Sequence, residues 1–253
     1  MKTIFDRTQM LLGWEMLKRI KSQKVIVFGV GGVGGFAVEA LVRAGIQTIA
    51  IVDYDLIDIT NINRQIIALH STIGKLKVEV MADRIKDINP DAEIRVFADR
   101  LTSENIETFQ LKEYDYIVDA IDDVPAKLLL IREAKQKDIP IISSMGTGNK
   151  FDPSQFKITD IRKTNTCPLA KIIRKETAKM GIKQHKVLFS SEAPHREELP
   201  EDGSRSPSSI SFVPATAGML IASEVIRDLI ISTPGEKMIF GIKKPAQKIK
   251  ANF

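Results

Sequence analysis

Residues 24–35 constrain this chain more than any other stretch: a short apolar run, Val25-Ile-Val-Phe28, breaks directly into Gly29-Val-Gly31-Gly32-Val-Gly34-Gly35. An apolar run of that length bounded by glycine reads as a strand buried on both faces, as in a parallel sheet. Residues 36–43 carry the apolar spacing of a helix. Residues 48–52 are β-branched and form a second strand, closed by Asp53-Tyr54-Asp55. Strand, glycine turn, helix and strand make a βαβ unit. Gly29 permits the tight turn, while Gly31, Gly32 and Gly34 let backbone N–H groups approach a phosphate that the helix N-terminus also attracts. Asp53, 19 residues beyond Gly34, is placed to accept hydrogen bonds from ribose hydroxyls.

The same alternation continues downstream. Residues 75–89 have helical periodicity that stops at Pro90, and residues 93–97 alternate as a strand does. Residues 116–119 and 139–143 read as two more buried strands, with a helix over 126–137 between them. This predicts an α/β fold: a doubly wound, mainly parallel Rossmann-like sheet with helices on both faces. We divide the chain at residue 150. Residues 1–150 form the nucleotide-binding core. Residues 151–253 form a C-terminal extension of the same globular unit, with a basic helix over 171–180, a mobile loop over about 192–209 and an apolar helix over 217–231.

Composition narrows the class. With 43% hydrophobic residues there is ample apolar mass for a core. A single cysteine, Cys167, excludes a disulfide framework and any CxxC zinc clamp, so no zinc is expected. The opening Met1-Lys2-Thr3-Ile4-Phe5-Asp6-Arg7 lacks the apolar run of a secretory signal. The longest uncharged stretch, residues 206–223, is diluted by Ser and Pro and makes a poor membrane span. A soluble cytoplasmic protein is the expectation. The net charge of +5 is unevenly placed: residues 157–186 hold nine Lys/Arg against Asp160 and Glu176, and residues 237–253 hold five Lys and no acid. Solvated helix faces explain such a pattern, and so does a surface for a polyanion.

NAD would be the default ligand of the glycine loop, but the residues after it argue for a triphosphate. A dinucleotide's pyrophosphate is held by backbone and helix dipole, whereas three linked phosphates carry more charge than N–H groups neutralise. Arg64 and Lys77 can serve as a cationic clamp, and Asp122, at a strand's C-terminal end, can hold Mg²⁺. A pair of surface ion-pairing residues is the plainer reading of Arg64 and Lys77, which the glycine loop weakens.

At this point the motifs carry a resemblance. Gly29-x-Gly31-Gly32-x-Gly34, Asp53-x-Asp55, Asn61-x-Asn63-Arg64-Gln65, Gly74-Lys75-x-Lys77 and Asp119-x-x-Asp122 resemble the adenylating domain of the ubiquitin-activating superfamily. The resemblance implies ATP with Mg²⁺. Asp53 would bind ribose, Asn61, Arg64 and Lys77 would contact phosphates, and Asp122 would hold the metal. Asp55, Asn63 and Gln65 belong to the same nucleotide-binding set. Arg7 matches a family arginine that reaches into the partner subunit's site, which implies a homodimer.

The second half narrows the match. Residues 142–153, Asp160-Ile-Arg162-Lys163-Thr164 and Cys167-Pro168-Leu169-Ala170 resemble one branch, the tRNA threonylcarbamoyladenosine dehydratases. The two CxxC zinc pairs of sulfur-carrier-activating relatives are missing. The branch implies ATP-dependent cyclisation of N6-threonylcarbamoyladenosine in tRNA through an acyl-adenylate, releasing AMP and pyrophosphate. Arg162, Lys163, Lys171, Arg174 and Lys175 become candidates for tracking the tRNA backbone. Phe156 is the one nearby ring, so phosphate contact rather than base stacking is expected from that stretch.

Other readings stay open: an adenylyltransferase for the C-terminus of a ubiquitin-like sulfur carrier, and a non-catalytic, NAD-linked nucleotide-binding module. Cys167 reads as a small side chain at a turn before Pro168 rather than a sulfur-relay thiol. His70, His185 and His195 have no ligand spacing and read as surface or loop residues. The helix over 217–231 reads as a core or dimer helix ahead of a membrane-surface one. Whether a monovalent cation (Na⁺ or K⁺) sits near residues 145–151, and whether a sulfur-transfer protein is a partner, stays open.

Overall fold

The computed structural model describes residues 2–195 and 207–231. Most of the loop expected over 192–209, and the five lysines of residues 237–253, lie outside the described residues. Seven strands form one sheet in the order β3-β2-β1-β4-β5-β7-β6. They are β1 (Lys24–Phe28), β2 (Thr48–Val52), β3 (Glu93–Phe97), β4 (Tyr116–Asp119), β5 (Ile141–Ser144), β6 (Phe156–Asp160) and β7 (Lys186–Ser190). Every neighbouring pair is parallel except β6 with β7, where Ile158 faces Leu188 in antiparallel register. The central strands read as uninterrupted apolar runs because both of their faces are covered: Val25, Ile26 and Val27 have no exposed surface. Edge strand β3 is partly exposed throughout, which matches its alternation of charged and apolar residues.

Helices α3 (Gly34–Ala44), α4 (Lys77–Ile88) and α7 (Phe212–Ile231) cover one face; α5 (Val124–Gln136) and α6 (Pro168–Lys179) cover the other. Helix α7 starts five residues earlier than its apolar pattern suggests, because Pro214 fits a first helical turn, where its missing N–H has no intrahelical partner. Its buried side chains recur every fourth residue: Val213, Ala217, Ile221, Val225 and Leu229. This stripe lies against α3, where Gly218 has no room for a side chain; a Cβ there would sit 2.4 Å from the Val33 carbonyl oxygen. Among the described residues no helix is long and apolar enough to cross a membrane.

Four elements escape a reading by periodicity. Helices α1 (Asp6–Leu12) and α2 (Trp14–Lys21) are short and broken apart by Gly13 at φ +83°. Leu17 and Ile20 dock on the core, while Ile4, Met10, Leu11 and Trp14 are exposed. Strands β6 and β7 are five residues each, with Lys157, Asp160 and Lys186 interrupting their apolar positions. Only the edge formed by β5 makes strands of them, and they carry the sheet past residue 150 without a break.

Candidate active site

The sheet changes direction between β1 and β4, and the loops leaving the C-terminal ends of these two strands flank the crevice where α/β sheets bind ligands. The crevice is a cleft of about 730 Å³. Two glycines of the loop after β1 are demanded by geometry. Gly29 sits at φ +87°, and a Cβ there would lie 2.6 Å from the Ala120 carbonyl oxygen of the β4 loop. At Gly34, in the first turn of α3, a Cβ would lie 1.8 Å from the Gly29 oxygen. Gly31 and Gly32 line the cleft. Asp53 fastens this loop. Its buried carboxylate accepts from Val30 N at 2.7 Å and from Asp55 N at 2.9 Å. Burial raises its pKa, with Lys77 and the two N–H groups pulling the other way. Two backbone bonds use about half of a carboxylate's acceptor positions, which leaves Asp53 able to take ribose hydroxyls.

The cations predicted for the phosphates are gathered on the same side. Lys77 opens α4, is nearly buried, and pairs through Nζ with Asp55 Oδ2 at 2.6 Å, while Asp55 faces the cleft half exposed. This is no surface ion pair. Arg64 follows a 3-10 turn at Ile59–Asn61 and is aimed by hydrogen bonds from its guanidinium to Thr60 O and Asn63 Oδ1, both 2.9 Å. Asn61 caps that turn by accepting from Asp58 N and lines the cleft. Asn63 does not line it; its amide donates to Ser209 O at 3.1 Å, so it braces Arg64 against the opposite wall. Gln65 is buried in the lining with its Oε1 unpartnered, an acceptor that an N–H or O–H of a nucleotide can satisfy. Asp122 is exposed to the cleft in the β4 loop; the neighbouring Asp123 accepts from Arg100 at 2.6 Å. The donor set fits ATP, and the hard oxygen of Asp122 fits Mg²⁺.

The opposite wall is built from distant segments: residues 144–150 after β5, residues 167–169 at the start of α6, Pro194, and residues 207–214. Asn149, at φ +57°, stitches them together. Its backbone N–H donates to Ser208 O, its Oδ1 accepts from Ser208 N, and its carbonyl accepts from His195 N, each at 2.8 Å. Lys150 is buried and donates to the Glu192 carbonyl, and burial holds its ammonium below the usual lysine range. Cys167 is buried in this wall, and a Cβ on Gly146 would lie 3.7 Å from its Sγ.

Behind the cleft, Lys127 of α5 joins the two walls. With no exposed surface, its Nζ donates to Asp119 Oδ1 at 2.8 Å and to Ser144 O at 3.0 Å. Sequence reasoning missed Lys127, Arg100 and Lys150; the one available signal was a lysine on the apolar side of a helix. His185 also departs from expectation. It is buried rather than on the surface, with Nε2 2.8 Å from Ser143 Oγ, and burial beside Lys135 and Lys127 pushes its pKa down to about 3.

Two further groups of predicted residues lie away from the cleft. Arg7 is exposed on α1 and does not line the cleft of its own chain. Of the basic set, Arg162 pairs with Asp160 at 2.8 Å, and Arg174 donates to Thr164 O and Oγ1 at 2.8 and 2.7 Å. Both have local structural duties, whereas Lys163, Lys171 and Lys175 are exposed.

A cleft that pairs a glycine phosphate loop with two aimed cations and a free carboxylate can hold a nucleoside triphosphate and stabilise charge at its phosphates. The chain is similar to known proteins along most of its length. A tRNA threonylcarbamoyladenosine dehydratase of Bacillus subtilis is 44% identical over 239 residues, spanning 89% of this chain and 94% of that protein. The tRNA threonylcarbamoyladenosine dehydratase of Escherichia coli is 37% identical over 75% of this chain and 74% of its own. The solved structure of the E. coli enzyme in complex with ATP superposes with a TM-score of 0.83 at 34% identity, over 89% of this chain and 93% of that one. The family model for ThiF matches residues 5–247, and the chain belongs to the ThiF family.

Proposed function

We propose that this protein is an ATP-dependent adenylating enzyme that dehydrates N6-threonylcarbamoyladenosine in tRNA to its cyclic form. The observation that carries the reading is the convergence of the glycine loop, Arg64, Lys77 and Asp122 on one cleft, within a chain that aligns with a dehydratase over 89% of its length. The substrate's threonine carboxylate is a poor electrophile, so its oxygen must become a leaving group. Its attack on the α-phosphate of ATP breaks the bond to the β-phosphate and releases pyrophosphate, forming an acyl-adenylate. The carbamoyl group of the same nucleoside then attacks the acyl carbon, loses a proton and expels AMP. Ring closure within one nucleoside gains a high effective molarity, so no enzyme nucleophile is needed.

The roles of this chain's residues follow from position. N–H groups at Gly31 and Gly32 and the α3 N-terminus cradle phosphate, and Arg64 and Lys77 neutralise charge as the pentavalent centre forms. On nucleotide binding Lys77 has Asp55 to leave or to share. Asp122 would hold Mg²⁺, which supplies further charge neutralisation on the phosphates.

A homodimer is part of the reading. Arg7 stands on a helix whose exposed Met10 and Leu11, with Ile4 and Trp14, give an apolar surface suited to a second copy. Arg7 delivered across that surface would join the partner's cleft. Lys163, Lys171 and Lys175 supply phosphate contacts for tRNA. A cytoplasmic location is proposed on the tRNA substrate alone.

The test is AMP release from ATP and Mg²⁺ with tRNA carrying or lacking the threonylcarbamoyl group, with nucleoside mass spectrometry on the same samples. AMP formed only with the modified tRNA, together with loss of one water from that nucleoside, is the expected result. AMP with neither tRNA overturns it. Cys167 in the cleft wall keeps a second reading alive, activation of a ubiquitin-like sulfur carrier; a thioester at Cys167 with such a carrier, abolished in Cys167→Ser, is its signature.

A further inference from the structure

Two aromatic rings adjoin residues of the cleft wall, outside the machinery described so far. Phe151 follows Lys150, and Phe212 lies between Ser209 and Pro214; all three of these neighbours line the cleft. The two rings meet edge to face with centroids 5.5 Å apart at 81°. Phe151 is 68% exposed and Phe212 39%. An edge-to-face pair leaves one ring with a free face, and the exposure of Phe151 puts that face in water. The backbone beneath is held in place: Phe151 N donates to Glu192 Oε1 at 2.8 Å, and the preceding Asn149 is bonded to Ser208.

Two acids beside this segment are engaged in local hydrogen bonds. Glu192 accepts from the backbone N–H groups of Phe151 and Asp152, and Asp152 accepts from Ser154 and Gln155. Among the described residues, cations are supplied by Arg64 and, farther along α6, by two lysines outside the cleft lining. Arg64 lies beside Pro214, since a Cβ on Gly32 would touch both, and α6, which begins in the same cleft wall, exposes Lys171 and Lys175. A flat apolar face among cations is the surface that unstacked bases of single-stranded RNA use, with stacking supplied by the ring and phosphate contact by the cations.

We propose that Phe151, backed by Phe212, is a stacking platform for a base of the tRNA loop that carries the modified adenosine. This rests on the dehydratase reading and deepens it, because a nucleoside whose carboxylate must reach the phosphates inside the cleft brings its flanking bases to the residues adjoining the cleft wall. It also assigns base stacking to residues outside 157–186, where the sequence offered phosphate contacts only.

The experiment compares wild-type protein with Phe151→Ala and Phe151→Trp on threonylcarbamoyl-modified tRNA. The expected result is a KM for tRNA raised about tenfold in Phe151→Ala, at unchanged ATP affinity and melting temperature. Phe151→Trp restores the KM, and its emission, measured against the background of Trp14, is quenched on tRNA addition. A Phe151→Ala protein whose tRNA KM stays within about twofold of wild type, while the wild type makes AMP, overturns the platform alone. A KM loss that tryptophan does not restore, accompanied by a change in oligomeric mass, assigns the ring to a second copy of the chain and also overturns it. Wild-type protein that releases no AMP on modified tRNA sinks the dehydratase reading, and the platform with it, before any variant is examined.

Discussion

The two walls of the cleft are made in opposite ways. The phosphate wall comes mainly from the first βαβ unit, the loop after it and the start of α4, with the β4 loop packed against it: Gly29 stands against Ala120, Asp53 accepts from Val30 N and Lys77 pairs with Asp55. The facing wall is gathered from four segments, tied by Asn149 to Ser208 and by Lys150 to Glu192. A wall built from local backbone geometry has few ways to vary. A wall assembled from separate loops can change residue by residue, and it is where a chain sets which acyl substrate meets the common nucleotide. The walls meet where Asn63 donates to Ser209 O and, behind the cleft, at Lys127, which holds a carboxylate from one and a carbonyl from the other.

The comparison breaks most severely if that strut is cut. Lys127→Met leaves the fully buried Asp119 without its cation, and the expected loss is about 3–5 kcal/mol of stability, read from urea denaturation. Activity of whatever folded protein remains falls too, since both loops lose a common anchor.

Next in size is an effect confined to the phosphate wall. Lys77→Ala leaves Asp55 without its cation, but Asp55 is half exposed and water compensates for much of that loss. AMP formation is expected to drop about 100- to 1,000-fold, as for loss of one preorganised charge at a transition state, while tRNA binding persists. Equal loss of tRNA binding would mean the walls are not separable.

The smallest of the three effects lies behind the cleft, at His185, and is pH-dependent. The folded pKa of His185 is lowered from 6.5 to about 3, so between these values the unfolded chain binds a proton that the folded chain refuses. Its contribution is present above pH 6.5 and is lost as pH falls through that window. From pH 7 to pH 5 the loss is about 2 kcal/mol at roughly 1.4 kcal/mol per pH unit. Urea midpoints at the two pH values should converge on less pH dependence in His185→Asn; an unchanged slope would mean that His185 is hydrated in solution.

Legibility followed the same division. The strands β1, β2, β3 and β4 and the glycine loop could be read from the chain because their apolar runs and glycines follow from burial on two faces and from steric rules that hold in any context. Helix α1 and strands β6 and β7 could not, because their apolar residues are too few to show a period and take their conformation from the surface they join.

Sequence by itself determined that this chain forms a mainly parallel α/β sheet with a tight glycine turn after its first strand, since burial on two faces demands the apolar runs and a close approach demands the glycines. Tertiary structure alone decided the burial of His185 and Lys127, the bond of Asn63 to Ser209, and the meeting of Phe151 with Phe212. Those outcomes depend on which distant segments become neighbours. Solvation, hydrogen bonding and ring packing are properties of neighbours in space, and no local pattern records them.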